Sequence, residues 1–154
     1  MWMTIKHKWF VLVIGRKMGL GLVFLLLHDI SKFTPAECFA YGRQWSGDAG
    51  DPEAYQAAWL NHQNKNKHHW EYWVSRTGSG IGDSDDYMVE IPFKYLKETA
   101  ADWFAASRAY EGHWPASMDS WGWYQNNFDK VRVSGPTRRA LVKMIEAIIE
   151  EVVW

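Results

Sequence analysis

What most constrains this chain is its punctuation. Glycine and proline cut it into helix-length pieces, and almost nothing between them alternates as a strand would. A helix is expected from about Thr4 to Met18, where Gly19 and Gly21 break it. A second covers Leu22 to Ser31. Thr34 before Pro35 is an N-cap and first-turn pair that opens a third helix, to about Trp45. After the loop SGDAGD, Asp51 and Pro52 start a fourth, running towards His62. NKNK, residues 64 to 67, is a turn, and HHWEYWV a short helix. TGSGIGDSDD, residues 77 to 86, is rich in turn residues and reads as a flexible loop; its DSDD lacks calcium-loop spacing. A long helix runs from about Pro92 to Tyr110, with Leu96, Ala100, Trp103, Phe104 and Ser107 on one stripe. The loop EGHWPASMD leads to a helical piece around Trp121 to Phe128, and a last helix runs from near Pro136 almost to Trp154. VRVSG is the only strand-like piece. The pattern predicts one all-α domain, residues 1 to 154.

The chain has 154 residues, 47% of them hydrophobic, enough for one domain with a core. A net charge of -1 argues against a general nucleic-acid binder. The single cysteine, Cys38, points to a reducing compartment. The start, MWMTIKHKWFVLVIGRK, has the basic-then-apolar look of a signal peptide, but no small-residue cleavage site follows and Arg16 with Lys17 interrupts it. Only the ten residues from Met18 to Leu27 are uncharged in a row, against about 20 for a membrane helix. A soluble, cytoplasmic protein without a membrane partner is expected. Composition alone does not explain the eleven tryptophans.

The stretch LLLHDISKF, residues 25 to 33, places two metal-binding side chains, His28 and Asp29, at the end of an apolar run. His7 lies on the first helix, His62 closes the fourth, His68 and His69 follow the NKNK turn, and Asp102 is in mid-helix. Only His113 falls in an obvious surface loop. His62 and His69 would be roughly 10 Å apart along one helix, too far to share an ion, but a turn at NKNK folds them together. Adjacent His28 and Asp29 diverge by about 100° on a helix, so they meet one ion only at a helix end, or bridge two.

Each residue also has an ordinary reading. His7 can be a surface or capping residue, and His68 with His69 a solvated helix start. Asp102 can pair with Lys94, Lys97 or Arg108. Glu37 can be an outer-shell base or hydrogen-bond partner, or a surface carboxylate. Lys32 can reach a phosphate as a point charge, or favour a helix dipole at the surface. Arg43 and Arg108 can bind phosphate or make surface salt bridges. Trp59, Trp70, Trp73 and Trp103 are core by default, though an indole can stack on a base; Tyr72 and Tyr110 are weaker candidates for that.

The order His7, then His28 with Asp29, then Asp102 resembles the HD-domain superfamily, and HDISK, with Lys32, matches the lysine that often follows the pair. His62, His68 and His69 fall where some members hold a second metal. HKWFV, LLHDISKFTPAE, AWLNHQNKNKHHWEYW, ADWFAASRAY and WYQNNFDK, in that order, resemble a small family common in bacteriophage genomes, domain of unknown function family 5662. Cys38 departs from the bulky residue expected there, which bears on packing.

The resemblance implies a helical bundle with one or two divalent ions between its helices. Mn, Fe, Zn, Co, Ni and Mg are not separated by the donors alone. His7, His28, Asp29 and Asp102 would hold the first ion. Asp29 would bridge to a second held by His62 and His69 or His68. Lys32 and Arg108 would neutralise phosphate, with Glu37 behind the ligands. The implied activity is a phosphohydrolase acting on a small phosphate ester, a nucleotide first. The rivals are a di-iron oxygenase on the same scaffold, and a non-enzymatic phage protein that binds a nucleotide or a host factor. An oligomer is compatible with all three.

Overall fold

The stripe expected on the long helix is the axis of the fold. The computed structural model describes residues 2–46, 51–76 and 86–152. The loops expected at 47–50 and 77–85, and residues 153 and 154 where the last helix is expected to end, lie outside these. Among the described residues the chain is helical apart from one small hairpin, so the all-α expectation holds. The helices are α1 (Trp2–Lys17), α2 (Leu22–Leu26), α3 (Pro35–Ser46), α4 (Pro52–Lys65), α5 (Phe93–Tyr110), α6 (Gly122–Asn127) and α7 (Gly135–Val152). Leu96, Ala100, Trp103, Phe104 and Ser107 of α5 are all buried. α5 packs on α1 and on α7, while α3 and α4 form a separate pair.

Local chemistry sets the corners. α1 ends in a Schellman motif: Gly19 has φ 79°, Leu20 N–H donates to Gly15 O at 2.8 Å, and Gly19 N–H to Arg16 O at 3.0 Å. Asp51 caps α4 by accepting from the N–H groups of Glu53 and Ala54, and Pro52 takes the first turn. Gly15 is needed for another reason. A Cβ there would stand 2.4 Å from the buried Leu25, which seats α2 against α1.

Three expectations need correction. VRVSG is not a strand: Val131 is buried in the core and Ser134 caps α7, its hydroxyl accepting from Thr137 N–H. The strands are elsewhere, β1 (Val74–Arg76) against β2 (Asp86–Met88), antiparallel with Ser75 opposite Tyr87. β1 takes the last residue of the segment read as a short helix, of which only a 3-10 turn at Trp70–Trp73 is helical. Finally, α2 stops at Leu26 instead of Ser31, and the site depends on that early stop.

Candidate metal centre

After α2 the chain turns. Asp29 adopts φ 53°, ψ 24°, and a 3-10 turn follows at Ile30–Phe33. Aspartate tolerates the left-handed region better than most residues. The corner cancels the divergence a continuous helix would impose, so His28 and Asp29, 2% and 1% exposed, are buried together. The carbonyl of His28 is held by Lys8 Nζ of α1. The other contributors arrive by similar logic. Asn66 ends α4, its amide donating to the carbonyl of His62 at 2.8 Å, and the chain folds back so that the rings of His62 and His69 lie 4.7 Å apart. His68 is fixed by its own carbonyl, which accepts from Thr99 Oγ1 of α5 at 2.6 Å.

Three groups of ligand atoms result, the atoms of each within 4.8 Å of one another, and two of them share Asp29. These two are His7, His28, Asp29 and Asp102, and Asp29, His62, His68 and His69; the third is His28, His68 and Glu98. All seven metal-ligand candidates from the sequence are therefore brought together. Asp102 pairs with His7 Nε2 at 2.8 Å and not with the lysines of its own helix; Lys97 donates instead to Met18 O.

The outward nitrogens are anchored by acids. Glu98 Oε1 lies 2.9 Å from His28 Nδ1 and 3.5 Å from His68 Nδ1. Glu37 Oε2 lies 2.9 Å from His62 Nδ1 and accepts from Ser31 Oγ, while its other oxygen accepts from Asn61. A carboxylate on Nδ1–H leaves the lone pair on Nε2, the arrangement that supports a metal-bound imidazole. The Nε2 atoms of His28, His62, His68 and His69, with Asp29 Oδ1, are buried and have no hydrogen bond. His62 and His68 come to 3.2 and 3.3 Å of Asp29 Oδ1, but at angles that make no bond. Such atoms cost about 1–3 kcal/mol each when unsatisfied. Converging lone pairs beside two aspartates fit a divalent cation well.

Electrostatics agree. Burial works against charge on Asp29, yet His28 and Lys32 outweigh it and hold its carboxyl well below the usual range. Burial likewise opposes charge on Asp102, and its contacts with His28 and His7 hold it well below the usual range. Burial opposes a proton on His68, but Asp29, Glu98 and Asp102 push it up to about 10. Burial and the neighbouring His68 press His69 well down, so its ring stays neutral. The acids thus attract positive charge onto the cluster, and protons supply it where no cation does.

A cavity of about 380 Å³ opens beside the cluster, lined by His7, Lys32, His69 and Asp102, with Trp59, Trp70, Trp103 and Trp123 as walls. Lys32 Nζ is 2.5 Å from Asp29 Oδ2, so it is not an exposed surface lysine. Tyr110 and Lys130 also line the cavity, whereas Tyr72 and Trp73 do not. Arg108 is a correction. Its guanidinium donates to Gly112 O and stacks over Phe10, because it sits about 120° around α5 from Asp102. Glu37 is fully buried and holds His62 as a hydrogen-bond partner; it is not a surface carboxylate, and it does not line the cavity where a catalytic base would meet substrate. His113 is exposed, as expected.

Glu98 and Tyr41 were missed. Glu98 is one turn before Asp102 on α5, a spacing that puts both on one face and was the available signal. Tyr41, whose buried hydroxyl has no hydrogen bond and whose ring meets His62 edge-on, carries no comparable signal in sequence.

No curated protein and no solved structure is significantly similar to the chain. A family model described as a family of unknown function, DUF5662, matches residues 2–152, nearly the whole length, and the chain belongs to that family.

Proposed function

We propose that the protein is a metal-dependent phosphohydrolase of HD-domain type, acting on a small phosphate ester with nucleotides first in line. One observation carries the reading: Asp29 is shared by two donor groups, and Lys32 sits on its outer oxygen at the edge of an aromatic-walled cavity. The order His7, His28 with Asp29, and Asp102 around one group supports the HD-domain assignment. His7, His28, Asp29 and Asp102 would hold one ion, and His62, His68 and His69, with Asp29 between, a second.

The chemistry that a divalent ion would supply there is Lewis acidity, towards a phosphoryl oxygen and towards a water. The chain does the rest. Glu98 and Glu37 fix the tautomer and orientation of the rings they touch. Lys32 has three donors, one spent on Asp29, and the others are available to a phosphate. The indoles of Trp59 and Trp123 offer flat apolar faces to a nucleobase. A reducing cytoplasm, the host's if the gene is carried by a phage, suits the lone cysteine.

An imidazole-rich set around a shared carboxylate also suits two irons, and the oxygenase reading rests on that. Elemental analysis of protein purified without a chelating tag, followed by a phosphate-release screen over nucleotides, separates the two. Phosphate release that stops on chelation is the expected result. Two irons per chain with no release from any nucleotide would replace the hydrolase with the oxygenase.

A further inference from the structure

We propose that the outer face of the α1–α2 hairpin docks on an anionic lipid surface. α1 is apolar on two sides. His7, Val11, Ile14 and Gly15 are buried, and the opposite stripe, Trp2, Ile5 and Trp9, is exposed, Trp2 by 76% and Trp9 by 60%. A helix that is hydrophobic all round ordinarily has both sides covered. α2 repeats the pattern. Leu25 is buried, while Leu22, Val23, Leu26 and Leu27 are exposed. Lys8 joins the two surfaces, donating to Leu26 O and lying over the ring of Phe33, itself exposed. Isolated apolar residues on a surface need no explanation, but exposed apolar residues gathered on two helices that pack on each other mark an interaction site.

Charge decides which partner fits. Residues 2–33 carry five basic side chains and a single acid, Asp29; Asp29 and its partner Lys32 belong to the metal cluster, which leaves Lys6, Lys8, Arg16 and Lys17 and no acid outside it. The rest of the chain compensates, since the net charge is -1. Arg16 and Lys17 are exposed at the end of α1, and Lys94 and Lys97 of α5 lie beside it, over the rings of Phe24 and Phe93. A two-fold dimer through this face would set that basic rim against itself. An anionic bilayer meets both features: the indoles and leucines enter the headgroup boundary, and the cations meet lipid phosphates. Among the described residues no helix is long and apolar enough to cross a membrane, so the contact lies on the surface.

The test is co-sedimentation with vesicles of phosphatidylcholine alone and of phosphatidylcholine with phosphatidylglycerol. The protein should pellet with the anionic vesicles, about tenfold less with the neutral ones, and be released by about 0.5 M salt. Trp9→Glu with Val23→Glu should lower binding about tenfold or more at unchanged helicity and metal content. Should that double variant lose helicity, Arg16→Glu with Lys17→Glu carries the test, with a loss of several-fold expected. Wild-type protein that stays in solution over both vesicle types overturns the proposal, as do variants that bind like wild type. A dimer seen by sedimentation velocity and broken by Trp9→Glu with Val23→Glu, without vesicle binding, assigns the face to a second copy. Release from vesicles by an acidic protein alone, with no lipid preference, assigns it to a protein partner.

Discussion

α5 separates two halves of the interior that are built on opposite rules. Towards α6 and α7 it presents Phe104, which packs edge-on to Trp121 and face to face with Trp114, in a core shared with Leu141, Ile145 and Ile148. There the buried Trp121 has a partner for its ring nitrogen: Nε1 donates to Ser107 Oγ at 2.5 Å. Towards α1 and the corner after α2, the same helix presents Glu98 and Asp102 to a cluster of histidines. Among the described residues, every buried side-chain polar atom without a hydrogen bond belongs to that cluster or touches it. The apolar half is complete in itself. The polar half keeps converging atoms without hydrogen bonds, which a cation would satisfy in the proposed reading, so the two sides of one helix would divide stability from chemistry.

The division can be broken first on the apolar side. Phe104→Ala should cost about 3–5 kcal/mol of stability, while metal bound per folded molecule stays as in the parent. Denaturant unfolding and elemental analysis of the folded fraction check both halves of the statement. A matching fall in metal content would mean that the halves are not separable. On the polar side, Glu98→Gln should weaken metal binding about tenfold to a hundredfold, with a smaller effect on unfolding. A chelator competition titration reads it, and an unchanged affinity would reduce Glu98 to a packing residue.

Lys32→Met sharpens the comparison within the polar half. The methionine keeps the apolar stem and loses the charge. Metal content should remain full, while binding or turnover of phosphorylated substrates falls about tenfold, the scale of one charge-assisted hydrogen bond. Full metal with unchanged kinetics would leave the phosphate reading without its nearest cation.

The smallest effect per step is in pH, spread over several units. His68 is raised from 6.5 to about 10, so its contribution to the stability of the metal-free protein is full below 6.5 and is lost as pH climbs towards 10. Asp29 and Asp102 are lowered from 3.8, so theirs is present above that value and is lost as pH falls below it. Metal must displace the imidazole protons and so binds better as pH rises. Melting temperature should therefore fall between about pH 6.5 and 9 without metal and rise or hold with it. Parallel curves with and without metal would contradict the shared site.

How much of this was legible follows from which signals are local. Breakers and caps such as Gly19, Asp51 and Pro52 act over a few residues, so the helices could be placed from sequence. The candidates His7, His28, Asp29 and Asp102 could be named because their order along the chain resembles that of the HD-domain superfamily. What sequence missed depends on three-dimensional neighbours. α2 ends early because Asp29 adopts a left-handed conformation that the apolar periodicity of residues 22–27 does not report. Val131 reads as a strand because it is β-branched, but it has no pairing partner and serves the core. Arg108 was assigned by charge, though its helical phase turns it away from Asp102. Glu98 shares that phase with Asp102, yet an acid in mid-helix looks like any solvated one until its burial is seen.

The most direct test of the central claim is the metal content of Asp29→Asn. Asparagine keeps the size and loses the charge that both donor groups share. Elemental analysis beside far-UV circular dichroism should show metal falling towards zero in a protein whose helical content is unchanged. Metal content equal to that of the parent, at the same helicity, would contradict a site built around Asp29.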